Sequence, residues 1–147
     1  MMKFTLATLV SMVALPAMAE IMKVPSSGTV AKTMDALEAA VGNAGATVFA
    51  RVDHAGGAAS VDMELGASQL LVFGNPKLGT PAMQAAPLAG LMLPLRVLVY
   101  EDSDGAVWLA FEAPADMLGD LGISGDAPYV GMMTGALEKL TAAAAGG

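Results

Sequence analysis

The sequence contains no cysteine. That excludes disulfides, thiolate catalysis and every cysteine-based metal site, and it excludes a lipid-modified N-terminal cysteine. Basic residues are scarce, with seven Lys and Arg against 14 Asp and Glu and a formal net charge of −7. A chain this acidic repels phosphate backbones and anionic membrane surfaces, so nucleic acid is not an expected partner. Histidine occurs once, at His54, so any acid–base scheme run by a side chain that titrates near neutrality must use it. Long hydrophobic runs are lacking as well. The Phe4–Leu15 run is roughly a dozen residues, whereas a spanning helix needs about 20.

That run has a different meaning. It follows Met1-Met2-Lys3 and precedes Pro16-Ala17-Met18-Ala19. A positive start, a short apolar centre and small residues at Ala17 and Ala19 are the parts of a secretory signal peptide. Pro16 keeps the residues before the cleavage site extended. The expectation is a signal peptide over 1–19 and one exported, periplasmic or secreted, domain over 20–147, with no membrane span after cleavage. About 128 residues then remain, enough to bury roughly two-thirds of the unfolded surface around one core without disulfides.

Periodicity locates the elements. Ile21–Val24 reads as a first strand closed by Pro25. Val30, Met34, Leu37 and Val41 form one apolar stripe, predicting a helix over 29–43 that Gly45 ends. Thr47–Val52 is β-branched and aromatic, hence a strand. Ala55–Val61 is weakly helical because of Gly56-Gly57, and Met63–Leu65 reads as a short strand. Gln69–Phe73 is an almost unbroken apolar run, the pattern of a strand covered on both faces. Thr80-Pro81 has the form of an N-cap followed by proline, predicting a short helix limited by Pro87. Leu95–Tyr100 and Val107–Phe111 flank an acidic turn and form a hairpin. Asp126 is placed to cap a last helix carrying Val130, Met133, Leu137 and Leu140, with a fraying alanine tail. Strands grouped between helices predict an α+β fold: a mainly antiparallel sheet with two to three helices packed on one face.

Several stretches together resemble a bacterial family of uncharacterised proteins, the DUF302 domain. They are Thr33–Glu38, Phe49–Ala55, Leu70–Lys77, Gly79–Pro81, Met83-Gln84, Leu93–Leu95 and the Val107-Trp108 hairpin strand. The resemblance spans nearly all of the chain beyond the signal, in the family's order. It implies a TATA-binding-protein-like α+β architecture, with an antiparallel sheet and helices on one side. It implies no DNA binding, since a fold does not carry a function with it.

Five constellations bear on chemistry. Asp53-His54 ends a strand, and neighbours there point to opposite faces. His54 therefore needs a partner from elsewhere, with Glu64, Asn75, Gln84 or Glu101 as candidates. Its alternatives are a backbone hydrogen bond, a ligand or metal contact, or a catalytic base. Among candidate metal ligands His54 stands alone. The Phe73-Gly74-Asn75-Pro76 loop, with Lys77 and helix N–H groups after Thr80, reads either as an anion-holding turn or as a rigid turn with a structural Asn. Eight methionines lie beyond residue 19; their thioethers suit Cu(I), but their helical spacing fits core packing. Asp102 and Asp104 lack the remaining ligands of a calcium loop and read as a solvated turn. Gly131 and Gly135, one turn apart, allow close approach of another backbone inside the domain or across a dimer. No nucleophile motif surrounds Ser60 or Ser68.

The functional expectation is an exported small-ligand or metal-ion binding module that acts as a homodimer. Its candidate ligand-binding residues are Asp53, His54, Asn75, Lys77 and Gln84, with no cofactor identified. The competing readings are a hydrolase or isomerase with His54 as general base, and a purely structural dimer of the envelope.

Overall fold

The computed structural model describes residues 19–146. The signal segment, apart from Ala19, lies outside the described residues. The first strand, β1 (Ile21–Ser26), is followed by helix α1 (Val30–Asn43), β2 (Thr47–Asp53) and the short α2 (His54–Ala59). Then come β3 (Ser68–Gly74), α3 (Pro76–Ala85), the single turn α4 (Ala89–Met92), and the strands β4 (Leu95–Glu101) and β5 (Val107–Glu112). The chain closes with α5 (Pro114–Gly119) and α6 (Pro128–Ala145).

The five strands form one sheet in the order β1-β5-β4-β3-β2, and every neighbouring pair is antiparallel. The α+β class follows from this arrangement. Helices number six among the described residues, more than the two or three expected. The additional ones, α2, α4 and α5, are four to six residues long, too short to show a helical stripe in sequence.

Helix α1 forms as its pattern predicts. The Thr29 side chain accepts a hydrogen bond from the Lys32 N–H, and Val30, Met34, Leu37 and Val41 are all buried. Gly45 stands at φ +77°, the left-handed conformation that ends the helix region. Thr33, fully buried on this face, shares a 2.7 Å hydrogen bond with the Ser26 hydroxyl. Helix α6 lies beside α1, with Val130, Met133, Leu137 and Leu140 buried. Together they cover one face of the sheet, over Leu71, Phe73, Val97, Val99, Leu109 and Phe111. Full burial of each such side chain contributes about 1.5–3 kcal/mol.

Local expectations fail where a stronger neighbour competes. Helix α3 begins at Pro76 with Asn75 as its cap, so Pro81 sits inside it. Asn75-Pro76 carries the same cap-then-proline signal as Thr80-Pro81, and the earlier one starts the helix. Asp126 does not cap α6; the cap residue is Ala127, without a side-chain hydrogen bond. The alanine tail stays helical to Ala145, because Ala144 is fully buried and Ser27 N–H donates to the Ala145 carbonyl at 3.3 Å. Strand β1 runs through Pro25, which pairs in register with Trp108. An edge strand tolerates proline because one side of its backbone needs no partner. Residues 63–65 form no strand and are exposed.

Among the described residues, one face of the sheet therefore packs on α1 and α6 and the other does not. Leu71 and Phe73 are buried under the helices, while Leu70 and Val72, alternating with them, remain half-buried on the open face. Among the described residues no helix is long and apolar enough to cross a membrane.

Candidate functional site

Pairing between β2 and β3 has an irregularity that shapes one end of the molecule. Thr47 and Val48 lie opposite Gly74 and Phe73, but pairing resumes with Ala50 opposite Val72. Phe49 is the extra residue, and such a bulge re-aims its side chain. The Phe49 ring comes to lie beside Gly74 and Pro94, where a Cβ added at Gly74 would sit 3.4 Å from Pro94 Cβ and 3.5 Å from Phe49 Cε2. Phe49 is 57% exposed, unusual for an aromatic side chain with a buried surface within reach.

Beside this ring opens a cleft of about 260 Å³. Its walls come from the end of β3, from α3, and from the segment leading into β4. Phe49, Leu78, Met83, Leu93, Pro94 and Met133 supply the apolar lining, and Asn75 and Thr80 the polar groups. The Leu93–Pro94 peptide is cis. Glycine keeps the space open. A Cβ at Gly79 would lie 3.7 Å from both Leu93 Cδ1 and Met83 Cε. Met133 is buried and reaches the cleft from α6, so the cleft touches the main core. An apolar concavity with two polar groups is the general form of a small-molecule site.

The five residues expected to bind ligand do not form one surface. Asp53 pairs with Gln69 at one end of the β2–β3 ladder, and Gly74, just before Asn75, pairs with Thr47 at the other. At about 3.4 Å per residue the two ends are roughly 20 Å apart. Both positions follow the C-terminal end of a strand, but antiparallel neighbours place those ends on opposite edges.

Asp53 and Asn75 each have a structural task. Asp53 caps α2, accepting from the Gly56 N–H at 3.0 Å. Asn75 caps α3, its Oδ1 accepting from the Lys77 N–H at 3.0 Å. Leu78 and Gly79 N–H groups donate to the Asn75 carbonyl at 2.9 and 3.0 Å, and Pro76 has no N–H. The first turn of α3 thus offers no free donor, and the anion-holding version of this loop is corrected to a capped turn. The Asn75 Nδ2 makes no hydrogen bond among the described residues, and Asn75 is one of the residues lining the cleft. Lys77 and Gln84 are exposed on α3. His54 is exposed at the start of α2, with neither an ion pair nor a side-chain hydrogen bond among the described residues. Glu64 lines a shallow depression with Met63 and Leu65 beside α2.

The described residues contain no group of three His, Asp or Glu that could hold a metal ion. The methionines divide. Met34, Met117 and Met133 are core, whereas Met22, Met63, Met83 and Met132 are exposed, so packing accounts for only part of the set. At Gly131 and Gly135 an added Cβ would meet nothing within 4 Å, which removes close packing inside the domain as the reason for them.

Asp102 is fully engaged. Oδ1 accepts from the N–H groups of Asp104 (3.0 Å) and Ala106 (2.9 Å), and Oδ2 accepts from Trp108 Nε1 (2.8 Å). These bonds, the indole first, hold its carboxyl below the usual carboxylate range. Beside it, the Lys23 ammonium lies 5.6 Å from the Tyr100 ring centre and 5.9 Å from that of Trp108. On the helix side, Arg51 bridges Asp35 (2.7 Å) and Glu38 (3.0 Å) of α1.

The sequence model of the family described as Domain of unknown function DUF302 matches residues 22–145. The chain belongs to the DUF302 family. A crystal structure of an uncharacterized conserved protein DUF302 from Bacillus stearothermophilus superposes on this DUF302 domain with a TM-score of 0.68 at 19% identity, covering 85% of this chain and 94% of that one. That likeness establishes the fold. Over 114 residues, 76% of this chain, the domain is 40% identical to proteins named Fluoride-specific ion channel FluC 1 in Brucella suis biovar 1 (strain 1330) and Brucella abortus biovar 1 (strain 9-941). The matched stretch is 45% and 42% of those proteins, so this DUF302 domain spans less than half their length.

Proposed function

We propose that this DUF302 domain is an exported binding module for a small, largely apolar molecule, held in the Phe49–Met83–Pro94 cleft and presented by a homodimer. The observation that carries the reading is the cleft. Its lining is almost entirely apolar, two glycines keep it open, and it is lined by Asn75, whose Nδ2 makes no hydrogen bond among the described residues. Its volume of about 260 Å³ lies just below the ~300–1,000 Å³ that accommodates drug-sized ligands. A single aromatic ring or a short acyl chain with one hydrogen-bonding group is the matching class.

The relatives named fluoride-specific ion channel support a modular role. There the matched segment accompanies at least as much additional sequence, as a binding unit would when attached to a larger protein. The channel activity in those names is not assigned to this chain. Catalysis with His54 as base gains no support from an exposed imidazole without a hydrogen-bonded partner.

Native mass spectrometry of the protein recovered from a periplasmic fraction tests the reading. The expected spectrum contains a stoichiometric small organic mass that is lost in Met83→Glu, which places a charge in the cleft. An unliganded spectrum, combined with no uptake of indole or hexanoate on titration, would contradict it.

A further inference from the structure

The open face of the sheet carries an apolar band that nothing among the described residues covers. Val52, Leu70, Val72 and Leu98 run across β2, β3 and β4 on this face, and Tyr100 and Trp108 continue it toward β5. Leu70, Val72 and Leu98 are half-buried by their neighbours in the sheet alone. The Gln69–Phe73 run has the composition of a strand covered on both faces, yet α1 and α6 cover only one.

Charge on this face differs from charge on the rest of the molecule. The chain as a whole is at −7, but here the signs balance. Arg96 Nη2 pairs with Glu112 Oε2 at 2.9 Å. Lys23 rests against the Tyr100 and Trp108 rings, and Asp102 is bound to the Trp108 indole. Two copies of an acidic protein repel one another over most approaches; on this face Arg96 is paired with Glu112, and Lys23 and Asp102 offset each other.

We infer that the open sheet face is the self-association surface of this protein, two copies stacking sheet on sheet through Leu70, Val72, Leu98 and Trp108. Stacked sheets pack about 10 Å apart with strands inclined near −30°, and their side chains interdigitate. Five strands about 4.8 Å apart and some 20 Å long offer roughly 450–500 Å² per copy. The pair therefore buries close to 1,000 Å² in total, the lower bound for a specific interface. That size fits a pair whose population depends on concentration. The inference locates the pairing named in the proposed function and is independent of the cleft ligand.

Sedimentation velocity across micromolar to millimolar protein, paired with Trp108 emission, tests it on the full exported chain. The expected result is a monomer–dimer equilibrium in which the single tryptophan shifts to the red on dilution, as its ring passes from the interface into water. Leu98→Glu and, as a second variant, Leu70→Glu should each weaken the pair about a hundredfold, because a buried unpaired carboxylate is introduced on both sides of the two-fold. Met132→Glu, on the exposed side of α6, should leave it unchanged. A protein monomeric at all concentrations overturns both the inference and the homodimer. A dimer that survives Leu98→Glu and Leu70→Glu, or whose dilution leaves Trp108 emission unmoved, overturns the inference alone and places the pairing elsewhere.

Discussion

Trp108 and Asp102 are joined by a 2.8 Å hydrogen bond from the indole Nε1 to the carboxylate, across the turn of the β4–β5 hairpin. The bond fixes the one tryptophan of the protein on the open sheet face, and it ties the acidic turn to the strand that follows. Asp102 is therefore a turn-forming residue whose oxygens already accept from three N–H groups.

This pairing has a pH signature. The folded-state pKa of Asp102 lies below its unfolded value. The carboxylate then contributes stability that is complete above the unfolded value, about 3.9 for aspartate, and is lost as pH falls through the lower folded value. The urea midpoint of the wild type should drop on acidification below about pH 4, and Asp102→Asn should remove part of that drop. Equal acid sensitivity in the two proteins would show that the hydrogen bonds do not favour the charged form.

The caps give a second expectation. Asn75→Ala should destabilise the fold by about 1 kcal/mol, the ordinary worth of an N-cap, whereas Asn75→Asp should retain most of the stability. His54→Ala should leave the thermal midpoint within about two degrees, since a surface change away from any partner stays within roughly ±0.5 kcal/mol. Thermal denaturation of the three variants decides it.

The Gly56-Gly57 pair gives a third, with opposite signs at adjacent residues. A Cβ at Gly56 would lie 2.7 Å from Asp53 Oδ2, so Gly56→Ala must displace the capping carboxylate; the expected loss is about 1 kcal/mol. At Gly57 an added Cβ meets nothing within 4 Å. Gly57→Ala should gain about 0.4–1 kcal/mol by restricting the unfolded chain. Chemical denaturation of both variants should show midpoints moving in opposite directions.

Much of the fold was legible because it rests on local periodicity. Helix α1, the β4–β5 hairpin and the buried stripe of α6 follow from residue spacing alone. The start of α3 was ambiguous because two cap-then-proline signals, at Asn75 and Thr80, compete within one helix. The site was legible only in part. Asn75 marks one wall of the cleft, but residue chemistry alone weighs Asp53 and His54 equally with it, and the antiparallel pairing of β2 with β3 carries those two to the far end. Phe49 was hidden for a different reason. Its exposure depends on a bulge of one residue, and alternation along the strand does not announce where register slips. The polar residues drew notice for their chemistry, while the apolar side chains that build the cleft read as ordinary core.

A fourth prediction concerns the cleft's shape. Gly74→Ala places a methyl 3.4–3.5 Å from Pro94 and Phe49, at ordinary to slightly tight contact. The protein should fold with little change in stability while its affinity for a single-ring ligand falls about 10- to 200-fold, the 1–3 kcal/mol by which one methylene discriminates in a pocket. Calorimetric titration with indole reads this directly, and unchanged affinity would place the ligand elsewhere.

The most direct test of the binding account is methyl NMR of protein carrying ¹³C-labelled methionine, titrated with indole. Met83 and Met133 line the cleft, while Met22 and Met63 lie outside it. The account predicts saturable shifts of the Met83 and Met133 methyl signals, with those of Met22 and Met63 unmoved. Shifts confined to methionines outside the cleft, or none at ligand concentrations in the millimolar range, would contradict it.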